Sequence, residues 1–329
     1  MTRKIQKAKH KENKMQPIYR LAQMLQWKRP AHSANVMWFI EDYIAPVCDR
    51  HGGFFDDAGN YIVRIGDDSK VLYSSHTDTV HNKGGKQKIV INGDLLKVSH
   101  TEQSNCLGGD CTTGVWLMLE MIRAKVKGLY IFHADEEIGG LGSSYIAKNH
   151  PDLFFGIDYA IAFDRKGTNS IITHQVGGRC CSNEFAASLA MLLPLGYVND
   201  SGGTFTDTAN YIDIIPECTN ISVGYFNQHT INETQSISHA MSLRDAMLKF
   251  DETKLVCKRI AGEPDYDDLP YYSAYGFNKK SYKYKKSYDF VGTDYYSLYD
   301  YVRTNPDVVT DFLEDMGYDI TYFNSRHPY

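Results

Sequence analysis

The chain lacks the features that would place it in a membrane, in a disulfide scaffold or on nucleic acid. No apolar run approaches the roughly 18 residues that a membrane-crossing helix needs. Seven cysteines are an odd number, scattered except for the neighbours Cys180 and Cys181, with no CxxC pair and no zinc-finger spacing. Free thiols in a reducing compartment explain that pattern, so a cytoplasmic protein is expected. A formal charge of −5 makes no electrostatic case for nucleic acid or an anionic membrane as partner. The N-terminus, "MTRKIQKAKHKENKMQ", is basic but leads into no hydrophobic segment, and reads as a solvated arm over 1–16 rather than a signal peptide. Internal repeats are also missing.

What is present is a chain of 329 residues, long enough to bury a sizeable core. Apolar spacing predicts helices over Pro17–Trp27 and Ala31–Val47, then strands at Tyr61–Ile65, Val71–Ser75, Lys88–Ile91 and Leu95–Val98. A helix over Thr112–Ala124 precedes a buried strand at Leu129–His133, and a short helix at Ser143–Lys148 precedes another at Tyr159–Phe163. Further on come a strand at Ser170–Thr173, a helix over Asn183–Leu193, a strand at Asn220–Val223 and a long helix from about Ser236 to Ile260. Alternating helices and apolar strands predict an α/β three-layer sandwich, with a mixed, mostly parallel central sheet. Composition changes near Ala261, beyond which lie 14 of the 24 tyrosines. The expected organisation is therefore an arm over 1–16, a catalytic body over 17–260, and a Tyr-rich linker with a small helical extension over 261–329.

The polar residues gather at the ends of those strands, where ligands bind in open α/β sheets. "VLYSSHTDTV" ends a strand with His76 and then Asp78; "CLGGDCTTGVW" sets Asp110 in a glycine-flanked turn before a helix. "GLYIFHADEEIGGLGS" delivers Asp135, Glu136 and Glu137 together, "YAIAFDRKG" ends in Asp164, and "ISVGYFNQHTINE" carries His229 past the last strand. Each alone has an ordinary reading as a turn or helix cap. Adjacent acids in "DEE" repel, and burying them unpaired costs several kcal/mol. Two histidines with several carboxylates at the strand ends of one sheet are the ligand inventory of a site for two zinc ions.

In order and spacing, these five segments resemble the co-catalytic zinc exopeptidase superfamily of aminopeptidases, aminoacylases and glutamate carboxypeptidases. The resemblance implies that His76 and Asp164 hold one metal, Glu137 and His229 the other, with Asp110 shared between them. It implies Asp78 orienting the His76 ring and Glu136 as general base, with two divalent ions, zinc foremost and manganese or cobalt also suitable. The reaction implied is hydrolysis of an amide bond in a peptide or an N-acyl amino acid. In the mechanism that the resemblance implies, Glu136 would take a proton from water acidified by zinc and pass it to the departing amine.

Two gaps bear on the branch. The 34-residue step from His76 to Asp110 and the 65-residue step from Asp164 to His229 leave no room for the domains that some branches insert there. A compact aminopeptidase is expected, and the same site would also serve a carboxypeptidase or a deacylase. A catalytically silent binding protein and a single-zinc cyclotransferase on the same fold stay open as well. Cys111 departs from the residue usual in the family and is read as an inert small residue. "SGGTFTDTANY" loosely resembles a family loop beside the substrate, with Asp207 as its acid. Arg165, Lys166 and Arg179 are read mainly as solvated charge, with binding of a substrate carboxylate as the sharper reading.

Overall fold

Four strands buried along nearly their whole length make the middle of the molecule, covered on both faces as parallel strands in α/β folds are. The computed structural model describes residues 17–176, 178–193 and 196–263. The expected arm and nearly all of the Tyr-rich extension lie outside the described residues.

Strands of the two main sheets are β1 (Phe54–Phe55), β2 (Tyr61–Ile65), β3 (Val71–His76), β4 (Ile89–Asn92), β5 (Leu95–Val98) and β6 (Gly128–His133). They continue as β7 (Tyr159–Arg165), β8 (Ser170–Ile172), β9 (Val198–Asp200), β10 (Glu217–Ser222), β11 (Tyr225–Phe226) and β12 (Thr234–Ser236). The central sheet has eight strands in the order β9-β8-β10-β7-β3-β6-β2-β1. The inner four, β10, β7, β3 and β6, run parallel. Antiparallel pairings of β2 to β6 and β1 to β2 finish one edge, and on the other β8 pairs antiparallel to β10 and parallel to the edge strand β9. The expected mixed, mostly parallel sheet is therefore the one observed. β4 and β5, from the segment between His76 and Asp110, join β11 and β12 in a separate antiparallel sheet of four.

Helices α1 (Pro17–Met24), α2 (Ala34–Phe39), α3 (Gly109–Arg123), α4 (Leu141–Asn149), α5 (Asn183–Leu192) and α6 (Ile237–Met247) flank the central sheet or join its strands. α3 is buried along almost its whole length, from Gly109 to Ile122. It lies so close to β3 and β7 that a Cβ on Gly114 would stand 2.2 Å from the Phe163 carbonyl and from Ser75 Oγ. One core cluster, with Trp116, Tyr73, Tyr130 and Phe163, lies where α3 covers the sheet. A second, around Ile131, Phe154 and Tyr211, fills the opposite side.

The long helix expected to run to Ile260 stops at Met247. A competing local turn follows: Asp251 Oδ1 accepts hydrogen bonds from the Thr253 N–H and hydroxyl, starting a short 3-10 segment, Glu252–Lys254. The chain then folds back, burying Leu255 in the main core.

Candidate functional site

The parallel strands β3, β6 and β7 deliver three of the polar segments to one end of the sheet, and two loops bring the rest. His76 is the last residue of β3 and is fully buried. Its Nδ1 lies 3.1 Å from the Asp78 carbonyl, which can only accept, so Nδ1 carries a proton and in the neutral ring Nε2 presents a lone pair. That lone pair faces Asp110 Oδ1 at 3.0 Å and Asp164 Oδ1 at 3.2 Å. On the other side of Asp110, Oδ2 stands 3.1 Å from His229 Nε2, which is 3.4 Å from Glu137 Oε2. The Asp110 carboxylate thus reaches one histidine–carboxylate pair with each oxygen. Glu136 Oε2 lies 4.0 Å from His76 Nε2.

Local structure holds each of these groups. The Asp78 carboxylate is 3.4 Å from His76 Nδ1, and its closer contacts are elsewhere: it accepts the backbone N–H groups of Glu136 at 3.1 Å and Glu137 at 3.2 Å. Asp78 therefore fixes the acidic turn as well as the histidine. Glu233, four residues after His229 and 1 % exposed, accepts the N–H groups of Leu107, Gly108, Gly109 and Asp110 with its two oxygens. This ties the loop carrying His229 to the loop carrying Asp110. Gly108 makes that loop feasible, since its φ of +75° and the His81 ring, 2.8 Å from a would-be Cβ, both exclude a side chain. The Asp110–Cys111 peptide is cis. His229 itself holds a left-handed φ of 63°, an uncommon conformation for a histidine.

Asp207 does not line the cleft; it is buried 3.3 Å from His133 Nδ1, and its neighbour Thr206 instead donates a 2.7 Å hydrogen bond to Asp164 Oδ2. That leaves Asp164 Oδ1 facing His76 Nε2. Cys111 is buried, donates to the Phe163 carbonyl at 3.0 Å, and has its sulfur in a ligand-sized group with His76 and Asp164. Arg179 lies away from the cleft lining, in a short strand pair with His174. Sequence reasoning missed Arg29, fully buried, whose guanidinium donates to the Thr77 carbonyl and Thr112 hydroxyl at 2.7 and 2.8 Å. No sequence signal marks it, since it follows Lys28 in the polar stretch 28–32.

Electrostatically the cluster is out of balance. Asp78, Asp110, Glu136, Glu137 and Asp164 face two imidazoles. Burial pushes the Glu136 carboxyl up to about 10 and, with Asp110 beside it, Asp164 up to about 7. Burial disfavours a charged His76, yet the negative field of Asp164 and its hydrogen-bonded partners raise its pKa well above the usual value. Lone pairs of imidazole and carboxylate aimed at one another repel unless a proton or a cation lies between them. Glu137 Oε1 adds a buried oxygen with no hydrogen-bond partner. The groups His76/Glu136/Glu137 and Asp110/Glu137/His229 each bring their ligating atoms within 4.8 Å. Nitrogen and oxygen donors of this kind suit zinc, manganese or cobalt, so the residues present fit divalent cations. They open on a cleft of about 110 Å³, also lined by Arg165, Lys166, Thr204, Phe205, Asn220, Tyr225 and Gln228.

Neither a family model nor a curated protein matches the sequence. Solved structures do match the fold. A tripeptidase from Staphylococcus aureus superposes with a TM-score of 0.58 at 13 % identity, covering 71 % of this chain and 96 % of that one. Aminopeptidase PepT from Bacillus cereus gives 0.55 at 14 % identity, covering 70 % and 96 %. The TET1 peptidase of Pyrococcus horikoshii gives 0.53 at 15 % identity, covering 72 % and 100 %. The α/β fold expected from the resemblance is thus the fold that this chain shares with these solved peptidases.

Proposed function

We propose that the chain is a metal-dependent exopeptidase of aminopeptidase type that hydrolyses an amide bond at this cleft. The observation that carries the reading is Asp110, with one oxygen turned to His76 and the other to His229. His76, Asp110 and Asp164 would hold one divalent cation, and Asp110, Glu137 and His229 a second. Bound there, such ions supply Lewis acidity, which acidifies water and polarises a carbonyl. Glu136 is the general base: it stands at the mouth of the cluster, accepts a proton from water and returns it to the departing amine. Its backbone is pinned to the cleft by Asp78. Asp78 also keeps the proton of His76 on Nδ1, so that Nε2 stays available as a donor to a cation. Thr206 occupies the outer oxygen of Asp164 and keeps that carboxylate in one orientation.

The fold likeness supports a peptide substrate, and an N-acyl amino acid presents the same scissile bond. The six buried free cysteines support a reducing, cytosolic setting. Residues 17–260 form the catalytic unit in this reading, since every candidate site residue lies within them. The test is elemental analysis alongside hydrolysis: about two cations per chain, activity lost on chelation and regained with zinc, manganese or cobalt. One tightly held zinc would favour a cyclotransferase, and none would leave a binding protein.

A further inference from the structure

β7 does not end at its metal-facing acid. Arg165 and Lys166 follow Asp164 directly, and both line the same cleft. Their states differ. Arg165 is tethered, one terminal nitrogen donating to the Gly202 carbonyl at 2.9 Å and lying 3.4 Å from Asp200, while its Nε is buried without a hydrogen-bond partner. Lys166 is exposed and its ammonium has no hydrogen bond or ion pair among the described residues. Asp110, Glu136, Glu137 and Asp164 are the carboxylates lining the cleft. With two dications answering them and Asp200 beside Arg165, the Lys166 ammonium is left as the unpaired positive charge on that wall.

We propose that Lys166, beside the tethered Arg165, binds the free α-carboxylate of the amino acid released on the leaving-group side of the scissile bond. The inference rests on the amide-hydrolase reading above and names its substrate class: molecules whose carboxylate lies one residue beyond the bond that is cut. Reach sets that length. Consecutive Cα atoms lie about 3.8 Å apart, and Lys166 is two residues from a proposed cation ligand. A carboxylate one residue past the scissile carbonyl therefore falls within the span of one lysine side chain, whereas the end of a long peptide does not. Dipeptides and N-acyl amino acids share this carboxylate, and the nature of the group on the other side of the bond separates them.

The test uses the metal-loaded full chain with two substrate pairs: leucyl-glycine against leucyl-glycinamide, and N-acetyl-leucine against N-acetyl-leucinamide. In whichever pair is hydrolysed, the acid is expected to exceed the amide in kcat/KM by about tenfold or more, the usual scale of a charge-assisted hydrogen bond. Lys166→Met takes that ratio towards one, mainly through KM, and Lys166→Arg restores most of it. Calorimetric binding of the same pairs to Glu136→Gln protein reads the contact without turnover. Hydrolysis with equal rates on acid and amide, or an acid preference that survives Lys166→Met, overturns the proposal and leaves the hydrolase reading intact. Preferential binding of the acid, abolished by Lys166→Met, with no hydrolysis of any pair, supports the carboxylate site and overturns the hydrolase reading. Absence of both hydrolysis and preferential binding overturns the two together.

Discussion

Two buried groups of acids in this molecule have opposite charge balance. On α3, Glu120 is nearly fully buried and is met by Arg20 at 2.8–2.9 Å, Arg244 at 3.0 Å and Arg123 at 3.1 Å. One carboxylate there has three guanidinium groups, and the chain closes the site with its own charge. At the ends of β3, β6 and β7 several carboxylates share two histidines, and among the described residues no arginine forms an ion pair with them. The difference separates two kinds of acid site: one neutralised from within, which holds elements together, and one left in deficit, whose charge the proposed cations would answer.

That division is put under most strain at Glu136. Replacing it with Gln keeps shape and cation ligands but removes the base, so kcat is expected to fall by about 10²–10⁴-fold while metal content is retained. Steady-state rates together with elemental analysis check both halves. Near-parental turnover would assign the base elsewhere.

At the other pole, Glu120→Leu strands three arginines. Loss of one partner from a buried ion pair typically costs about 3–5 kcal/mol, to be read from urea unfolding. Chelator-competition affinity for the cations should stay unchanged, because Glu120 belongs to the closed region. The Glu120 carboxyl, which burial would raise, is held below its usual range by Arg20 and Arg244. A depressed carboxylate stabilises the fold above its unfolded pKa, about 4.3, and that contribution disappears as pH falls further.

His81 extends the contrast through pH. Burial, with the Arg29 charge behind it, lowers its pKa to about 4, whereas the unfolded chain titrates at about 6.5. Because the folded value is the lower one, the neutral form is favoured by folding. Its contribution is complete above about pH 6.5 and is lost as pH falls towards about 4, on the order of 3 kcal/mol in all. Unfolding free energies across that range should flatten in His81→Gln.

A milder change is expected at Glu233, whose neutralisation comes from backbone N–H groups rather than side chains. Glu233→Gln leaves one carbonyl oxygen to serve four donors, which loosens the loop under Asp110. Cation affinity should drop about 10–100-fold, a typical range for groups that position a ligand, with a much smaller change in stability. A parental affinity would detach Glu233 from the centre.

Much of the fold, and the clustering of the candidate residues, is legible from sequence because the signals are local. Apolar runs such as "GLYIFH" and "YAIAF" mark strands buried on both faces, and the polar residue that ends each run must lie at the sheet's end. The ladders of β3, β6 and β7 then align those ends, pairing His76 with His133 and Ser74 with both Ile131 and Ala162. What stays hidden is long-range. Glu120 and Arg20 are 100 residues apart, and Glu233 meets Leu107 across 126. No periodicity encodes such contacts. Hydrophobic spacing carries α6 past its true end because it does not report the turn bond that Asp251 makes. The two-residue strands Phe54–Phe55 and Tyr225–Phe226 are too short to show alternation and exist through their partners.

Whether Asp110 serves two cations at once is decided by counting metal. Parent protein and Asp110→Ala are dialysed against the same zinc buffer and analysed by elemental mass spectrometry, with folding checked by circular dichroism. About two ions per chain are expected in the parent, and both should be lost from the folded variant. Two ions retained by folded Asp110→Ala, or none held by the parent, would refute the shared ligand.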